Sequence, residues 1–319
     1  MCLLLSIPRP TQAESPDASD LQHAIARGSA WLRGDMQTWR SEHQCGACHH
    51  GPLALFSLGA LAGEQEMSSP RFLSELARWS VSDEARLMPK DPQPARLALP
   101  AVYLSLGLNS VNDRGDDLAT ARQRLLDHLR QTQNADGSWT GPGGRPPVFA
   151  SPVEVTLLVL ASWEPRRMES PETSAMLDKA AAWLRTQPAG NSHQELALRT
   201  LWLSLRGESE SARLLVDRLK ALQQPDGGWR QADDVPSDAF ATGQSLVALR
   251  RAGIRVNDPA MQRGVRFLLE TQQADGSWAM TSRPHPENHS RAANLNPIIY
   301  AGSAWAHAGL VAVSTRIPR

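Results

Sequence analysis

Gln272-Gln273-Ala274-Asp275-Gly276-Ser277-Trp278 recurs at matched offsets as Gln133-Asn134-Ala135-Asp136-Gly137-Ser138-Trp139 and as Gln223-Gln224-Pro225-Asp226-Gly227-Gly228-Trp229. Each copy follows a helical pattern with a leucine four residues before its first Gln: Leu268, Leu129 and Leu219. Asp-Gly after a helix makes a turn that tolerates positive φ. The Gln amide is placed to reach backbone groups left open at the helix end, and the Trp ring to cover the gap to the next hairpin. Trp183-Leu184-Arg185-Thr186-Gln187 has the same lead-in but runs into Pro188-Ala189-Gly190, and Ala30-Trp31-Leu32-Arg33 carries the same helical face. Three copies with Gln and Trp at fixed offsets describe a repeat array, not three unrelated turns.

Working outward, a second helix in each unit ends on a small-residue pair: Ala62-Gly63, Leu106-Gly107, Ala161-Ser162, Arg206-Gly207, Ala252-Gly253 and Ala308-Gly309. The mean pitch is about 49 residues, room for two helices and two loops, and a terminal Gly is the usual left-handed helix end. The prediction is six helix–loop–helix units over residues 21–311, the second the least regular, with residues 312–319 as a tail. Met1 to Pro8 is short and apolar and precedes Arg9 and Thr11-Gln12-Ala13-Glu14. Residues 1–20 therefore read as the remnant of a signal peptide or as an unstructured N-terminus.

The three copies resemble the Gln-x-x-x-Gly-x-Trp motif of squalene–hopene and oxidosqualene cyclases and the related prenyltransferase repeat, over nearly all of the chain after residue 20. The resemblance implies an all-α fold, a single α6/α6 toroid built from six helical hairpins. Six inner helices would surround an apolar central cavity suited to a small apolar or isoprenoid ligand. Triterpene cyclases protonate their substrate with an Asp-x-Asp-Asp motif. Here only Asp238 matches, at the central position, with Pro236 and Ala239 where the acidic partners would stand. The zinc set of protein prenyltransferases is also incomplete, since no Cys lies beyond residue 48.

Charge excludes some functions. The 33 Lys+Arg balance 33 Asp+Glu, so the chain lacks the basic excess of a nucleic-acid binder. No apolar run approaches the roughly 18 residues of a membrane span; the longest is Leu53 to Ala62. Tryptophan supplies 10 of the aromatic residues against 5 Phe and 2 Tyr, as the repeated motif leads one to expect.

Cysteine is confined to Cys2, Cys45 and Cys48, too few for a disulfide scaffold. Cys45-Gly46-Ala47-Cys48-His49-His50 contains Cys-x-x-Cys-His, the attachment motif of c-type haem. Cys45 and Cys48 would add to the haem vinyl groups and His49 would ligate the iron. Met88, before Pro89, is a candidate sixth ligand, with His285 and His289 as alternatives to it. Zinc on Cys45, Cys48 and His49 or His50 is a second reading, and a reduced pair or lone disulfide a third. Counting back from the terminal Gly of each unit puts Cys48 in register with Asp238, so both belong at the rim where inner helices begin.

These observations favour a squalene-cyclase-like toroid with a haem c or metal site, exported to the periplasm or secreted, and acting with a redox partner or as a ligand-binding protein. If the haem reading fails, a cytoplasmic location follows. The alternative is an isoprenoid cyclase or prenyltransferase-like enzyme with Asp238 as general acid, and a non-catalytic scaffold is a third class. The sequence leaves open whether the protein is an enzyme.

Overall fold

A computed structural model describes residues 17–43, 45–46, 49–61, 70–88, 99–140, 151–188, 190, 192–284 and 289–314. Among these, twelve α-helices alternate between an outer and an inner ring. The outer helices are α1 (Ala18–His43), α3 (Pro70–Val81), α5 (Asp116–Thr132), α7 (Pro171–Thr186), α9 (Ser209–Ala221) and α11 (Pro259–Thr271). The inner helices are α2 (Gly51–Gly59), α4 (Leu99–Ser110), α6 (Pro152–Trp163), α8 (His193–Leu205), α10 (Ala239–Arg251) and α12 (Asn296–Ser314). No strand occurs among the described residues. The helices run from Ala18 to Ser314, slightly beyond the predicted 21–311. Residues 1–16 and 315–319, with most of the predicted leader and tail, lie outside the described residues.

Burial explains the alternation. Outer helices carry one apolar stripe, as in α11, where Met261, Val265 and Leu268 are buried and Arg263 and Glu270 face out. Inner helices are apolar nearly all round, because they touch an outer helix on one side and the ring interior on the other. In α6 every residue from Glu154 to Trp163 is buried. Caps set where the helices start. Ser151 Oγ accepts from Glu154 N at 3.2 Å and Ser170 Oγ from Thr173 N at 3.1 Å. Asp258 Oδ1 accepts from Ala260 N at 2.9 Å.

The inner helices pack in chain order from α2 to α12, and α12 returns to α2, which closes a ring. Each outer helix lies against the inner helix of the preceding unit, α1 against α12 included. The fold is thus an α/α toroid of six hairpins, as predicted.

The repeated motif forms the clips. Gln133 Nε2 donates to Gly137 O and to Met176 O of the next outer helix, both at 3.0 Å. Gln223 Nε2 donates to Gly227 O and Ala260 O at 2.8 Å. Gln272 Nε2 donates to Gly276 O at 3.1 Å and to Ala24 O at 3.0 Å, joining the last unit to the first. The indole N–H of Trp139, Trp229 and Trp278 turns back to Leu129 O, Leu219 O and Leu268 O at 2.8, 2.7 and 2.9 Å. All three rings are buried, so Trp covers the gap while Gln crosses it. At Gly276, with φ +98°, a Cβ would collide with the Arg27 carbonyl, so glycine is required twice over.

A second device closes the seam. Ser57 Oγ donates to Ala304 O at 2.7 Å and lies 2.8 Å from His307 Nδ1, so Nδ1 carries the proton. Ser29 Oγ then donates to Nε2 at 2.8 Å. These contacts tie α1 and α2 to α12, with His307 wholly buried.

Candidate functional site

All six inner helices start at one rim, and this rim carries both candidate sites. The position of the cavity walls follows from helical spacing. Val247 and Arg251 of α10 line the opposite mouth of the ring, so the stripe Phe240–Gln244–Val247–Arg251 faces the lumen. The same spacing, counted back from mouth-lining residues, turns Glu154 on α6, Gln194 on α8 and Trp305 on α12 inward. The lumen is therefore not the apolar cavity expected. The rings of Phe240, Trp305 and Phe56 meet in a row across α10, α12 and α2, with centroids 6.2 Å apart for the first pair and 4.6 Å for the second. Near the rim the walls carry Glu154 and Gln194, while Gln244 lies one turn deeper than Phe240 on α10. The physical reason is local: the first turns of α6 and α8 hold Glu154 and Gln194, and the second turn of α10 holds Gln244.

A cavity of about 780 Å³ opens on this rim, lined by Glu154 of α6, His193 of α8, Gln231 from the loop before α10, and Arg283 and His289 from the loop before α12. His193 is wholly enclosed, with Nε2 2.7 Å from Ser245 Oγ. Burial, aided by the Arg283 charge, pushes its pKa down to about 3, so it stays a neutral imidazole. Ser192, which caps α8, also donates to Glu154 Oε1 at 3.0 Å. Arg283 is 6 % exposed, and burial lowers its pKa against the pull of Glu154, Tyr103 and Asp238.

Asp238 stands just behind this cavity. It caps α10 through Ala241 N donating to Oδ1 at 2.8 Å, and Oδ2 accepts from Gln231 Nε2 at 2.9 Å. Burial raises its pKa to about 6 despite these hydrogen bonds. It does not line the cavity; Gln231 stands between. Both carboxylate oxygens are thus engaged by the protein, Oδ1 by the helix start and Oδ2 by the Gln231 amide.

The Cys-His motif lies on the same rim, between α1 and α2. Cys48 and His285 are outside the described residues. Cys45 is half-buried, and its carbonyl accepts from Trp39 Nε1 at 3.0 Å. His50 is buried between the rings of Trp39 and Tyr300, at 4.1 and 4.2 Å, and Nε2 donates to Asp35 Oδ1 at 3.1 Å. His49 meets Trp39 edge-on at 5.4 Å, and burial with His50 beside it pushes its pKa down to about 3. Gly46 N donates to Ala85 O at 2.8 Å, and the Gly46 Cα rests on Leu87, so the segment ending at Met88 packs against the motif. Met88 itself is buried. Among the described residues no three His, Cys, Asp or Glu side chains are grouped to hold a metal ion.

The rim cavity therefore gathers His289, which the sequence singles out, with Glu154, His193, Gln231 and Arg283, which it does not, and Asp238 stands behind Gln231. The missed residues carry one legible signal. A polar residue in the first or second turn of an otherwise apolar inner helix marks the upper lumen.

Comparisons with known proteins agree with the ring. Residues 196–317 match the family model described as the squalene-hopene cyclase C-terminal domain. The chain is similar to squalene–hopene cyclase of Bradyrhizobium diazoefficiens, 34 % identical over 85 residues, covering 23 % of this chain and 13 % of that one. It is also similar to a probable squalene–hopene cyclase of Sinorhizobium fredii, 24 % identical over 266 residues, covering 80 % and 30 %. The chain thus spans less than a third of the length of these curated relatives. In fold it is similar to a glycosyl hydrolase family 88 protein from Bacteroides vulgatus, with TM-score 0.63 at 12 % identity over 93 % of this chain and 99 % of that one. The chain is a squalene-cyclase-like α/α toroid. No described helix is long and apolar enough to cross a membrane.

Proposed function

We propose that this toroid is a small-molecule-binding protein whose ligand is polar and enters through the rim cavity. One observation carries the reading. Gln231 Oε1, both amide atoms of Gln244, His193 Nδ1 and Arg283 Nη2 are buried and have no hydrogen-bond partner among the described residues. Each unpaired buried polar atom costs about 1–3 kcal/mol, and native proteins hold few of them. Those of Gln231, His193 and Arg283 belong to the rim cavity, where a hydroxyl-bearing ligand would satisfy them and a hydrocarbon would not. An isoprenoid substrate protonated by Asp238 is the weaker reading, because Gln231 screens that carboxyl and the walls are polar.

The test is a thermal-shift survey of sugars, polyols and hydroxy acids against farnesol and squalene. Members of the polar set are expected to raise the melting temperature of the wild type, and Gln231→Ala is expected to reduce that stabilisation at least threefold. Stabilisation by farnesol or squalene alone would overturn this reading and restore the isoprenoid one.

A second reading concerns the Cys-x-x-Cys-His motif. We propose that Cys45 and Cys48 hold a c-type haem with His49 as axial ligand, in a protein matured on the exported side of the membrane. The packing of the Ala85–Met88 segment on Gly46 supports it, by bringing a candidate second ligand to the motif. A neutral His49 suits iron or zinc equally, and bound haem would supply one-electron chemistry. Cys45→Ser with Cys48→Ser, expressed with haem-maturation machinery, is expected to abolish haem stain on a denaturing gel. Helical circular dichroism should stay within about a tenth of wild type, because the ring closes through Gln and Trp clips. A wild type that is colourless and carries zinc would replace haem by metal.

A further inference from the structure

Resting on the polar-ligand reading of the rim cavity, we infer that its ligand carries a single carboxylate, which the guanidinium of Arg283 grips, on a hydroxylated body. The argument is one of compensated charge. Of the other charged groups at the cavity, Arg230 pairs with Asp233 at 2.8 Å, Asp234 with Arg291 at 3.0 Å and Glu195 with Arg199 at 2.8 Å, while Glu154 accepts from Ser192 Oγ at 3.0 Å. Arg122, another buried guanidinium, is spent on the carbonyls of Leu108, Val111 and Asp113 at 2.8 to 3.1 Å. Arg283 differs from all of them. It is as deeply buried as Arg122, lines the cavity, makes no ion pair within 4.0 Å among the described residues, and leaves Nη2 without a partner. A buried cation in that state is costly without an anion, and a guanidinium matches a carboxylate with two parallel hydrogen bonds.

The N-termini of α6, α8 and α10 also open on this rim, and their partial positive charge favours an anion. The number of charges is limited from the other side. The Glu154 carboxylate stands in the same cavity wall and acts electrostatically on Arg283. A second negative charge on the ligand would meet it in a partly enclosed site, where like charges repel more strongly than in bulk water. That selects a carboxylate over a phosphate or diphosphate. Gln231 Oε1 and His193 Nδ1 then require partners on the ligand body, which hydroxyl groups provide.

The matched probes are gluconate and sorbitol, which differ at one end by a carboxylate against a hydroxymethyl group, with inorganic phosphate as competitor. In calorimetric titration of the full chain, gluconate is expected to bind at least tenfold more tightly than sorbitol. Arg283→Gln is expected to shrink that preference below threefold, and Arg283→Lys to keep a preference above threefold. Phosphate is expected not to displace gluconate at equal concentration. Equal wild-type affinities, a preference that survives in Arg283→Gln, a preference lost in Arg283→Lys, or displacement by phosphate each overturns the carboxylate assignment. Sorbitol binding that Gln231→Ala weakens would still leave the polar cavity standing in those cases. Failure of gluconate and sorbitol alike to bind the wild type overturns the assignment, and the survey with other polar compounds then decides the cavity separately.

Discussion

Trp278→Ala is expected to cost about 3–5 kcal/mol and to lower the melting temperature by roughly 5–15 °C. The ring is 1 % exposed and lies against α1 at Gly28, where a Cβ would stand 3.4 Å from it. Its backbone N–H donates to Ser303 Oγ at 3.0 Å and its indole N–H to Leu268 O at 2.9 Å. The ring thus joins outer α11 to the first outer helix α1, and the backbone N–H ties the residue to inner α12, at the point where the toroid closes. Truncation leaves a cavity that the ring cannot collapse, since Gln272 holds α1 at a fixed distance through Ala24 O. The loss should appear equally in heat and denaturant melts. A shift below about 2 °C would show that the seam does not depend on this clip.

The ring was readable because its signals are local and repeated. Gln, Gly and Trp at offsets of zero, four and six encode one turn, and that turn needs no knowledge of distant residues to be recognised. Ser57, Ser29 and His307 close the same seam with no such signature. They lie on three helices at opposite ends of the chain, and only the closed ring brings them within hydrogen-bond distance.

The site was readable only in part, for a related reason. Asp238 announces itself beside a helix start, and its capping bond to Ala241 N follows from that position. Its exclusion from the cavity does not, because the screening amide of Gln231 reaches it from seven residues upstream. Glu154, Gln244 and Arg283 belong to different hairpins, and nothing in their sequence neighbourhoods announces a shared lumen. The expected apolar cavity fails at the same level. Helical periodicity identified the inner helices, but which of their faces points to the axis depends on the packing of all six.

Acidification below pH 6.5 is expected to destabilise the protein progressively, and Asp238→Asn to steepen that loss. His193 and His307 are wholly buried, and burial pushes both pKa values down to about 3. Unfolded, they protonate near 6.5. Between those values the unfolded state binds protons that the folded state refuses, so stability falls as pH falls. Each histidine contributes about 5 kcal/mol over the full window at about 1.4 kcal/mol per unit. Asp238 has the opposite sign. Its folded pKa of about 6 exceeds the ordinary 3.8, so the folded state holds a proton that the unfolded state releases. Its contribution is fully present below pH 3.8 and is lost as pH rises to about 6, a swing of about 3 kcal/mol. With His49, also pushed down to about 3, these histidines outnumber the one aspartate, so unfolding takes up protons between pH 4 and 6 and stability follows the histidines. Asparagine caps a helix as well as aspartate, and the Gln231 amide, turned over, accepts from the new Asn N–H through its otherwise unpartnered Oε1. Asp238→Asn should therefore match or exceed wild type at pH 7, by up to about 3 kcal/mol, and lose that advantage by pH 4. Urea melts at half-unit intervals from pH 4 to 7 give both slopes, and the variant should take up about one more proton on unfolding. A variant that is less stable than wild type at pH 7 and parallel to it at every pH would mean that the Asp238 carboxylate is ionised in the folded ring at all these values, held there by its cap bonds more strongly than burial opposes it.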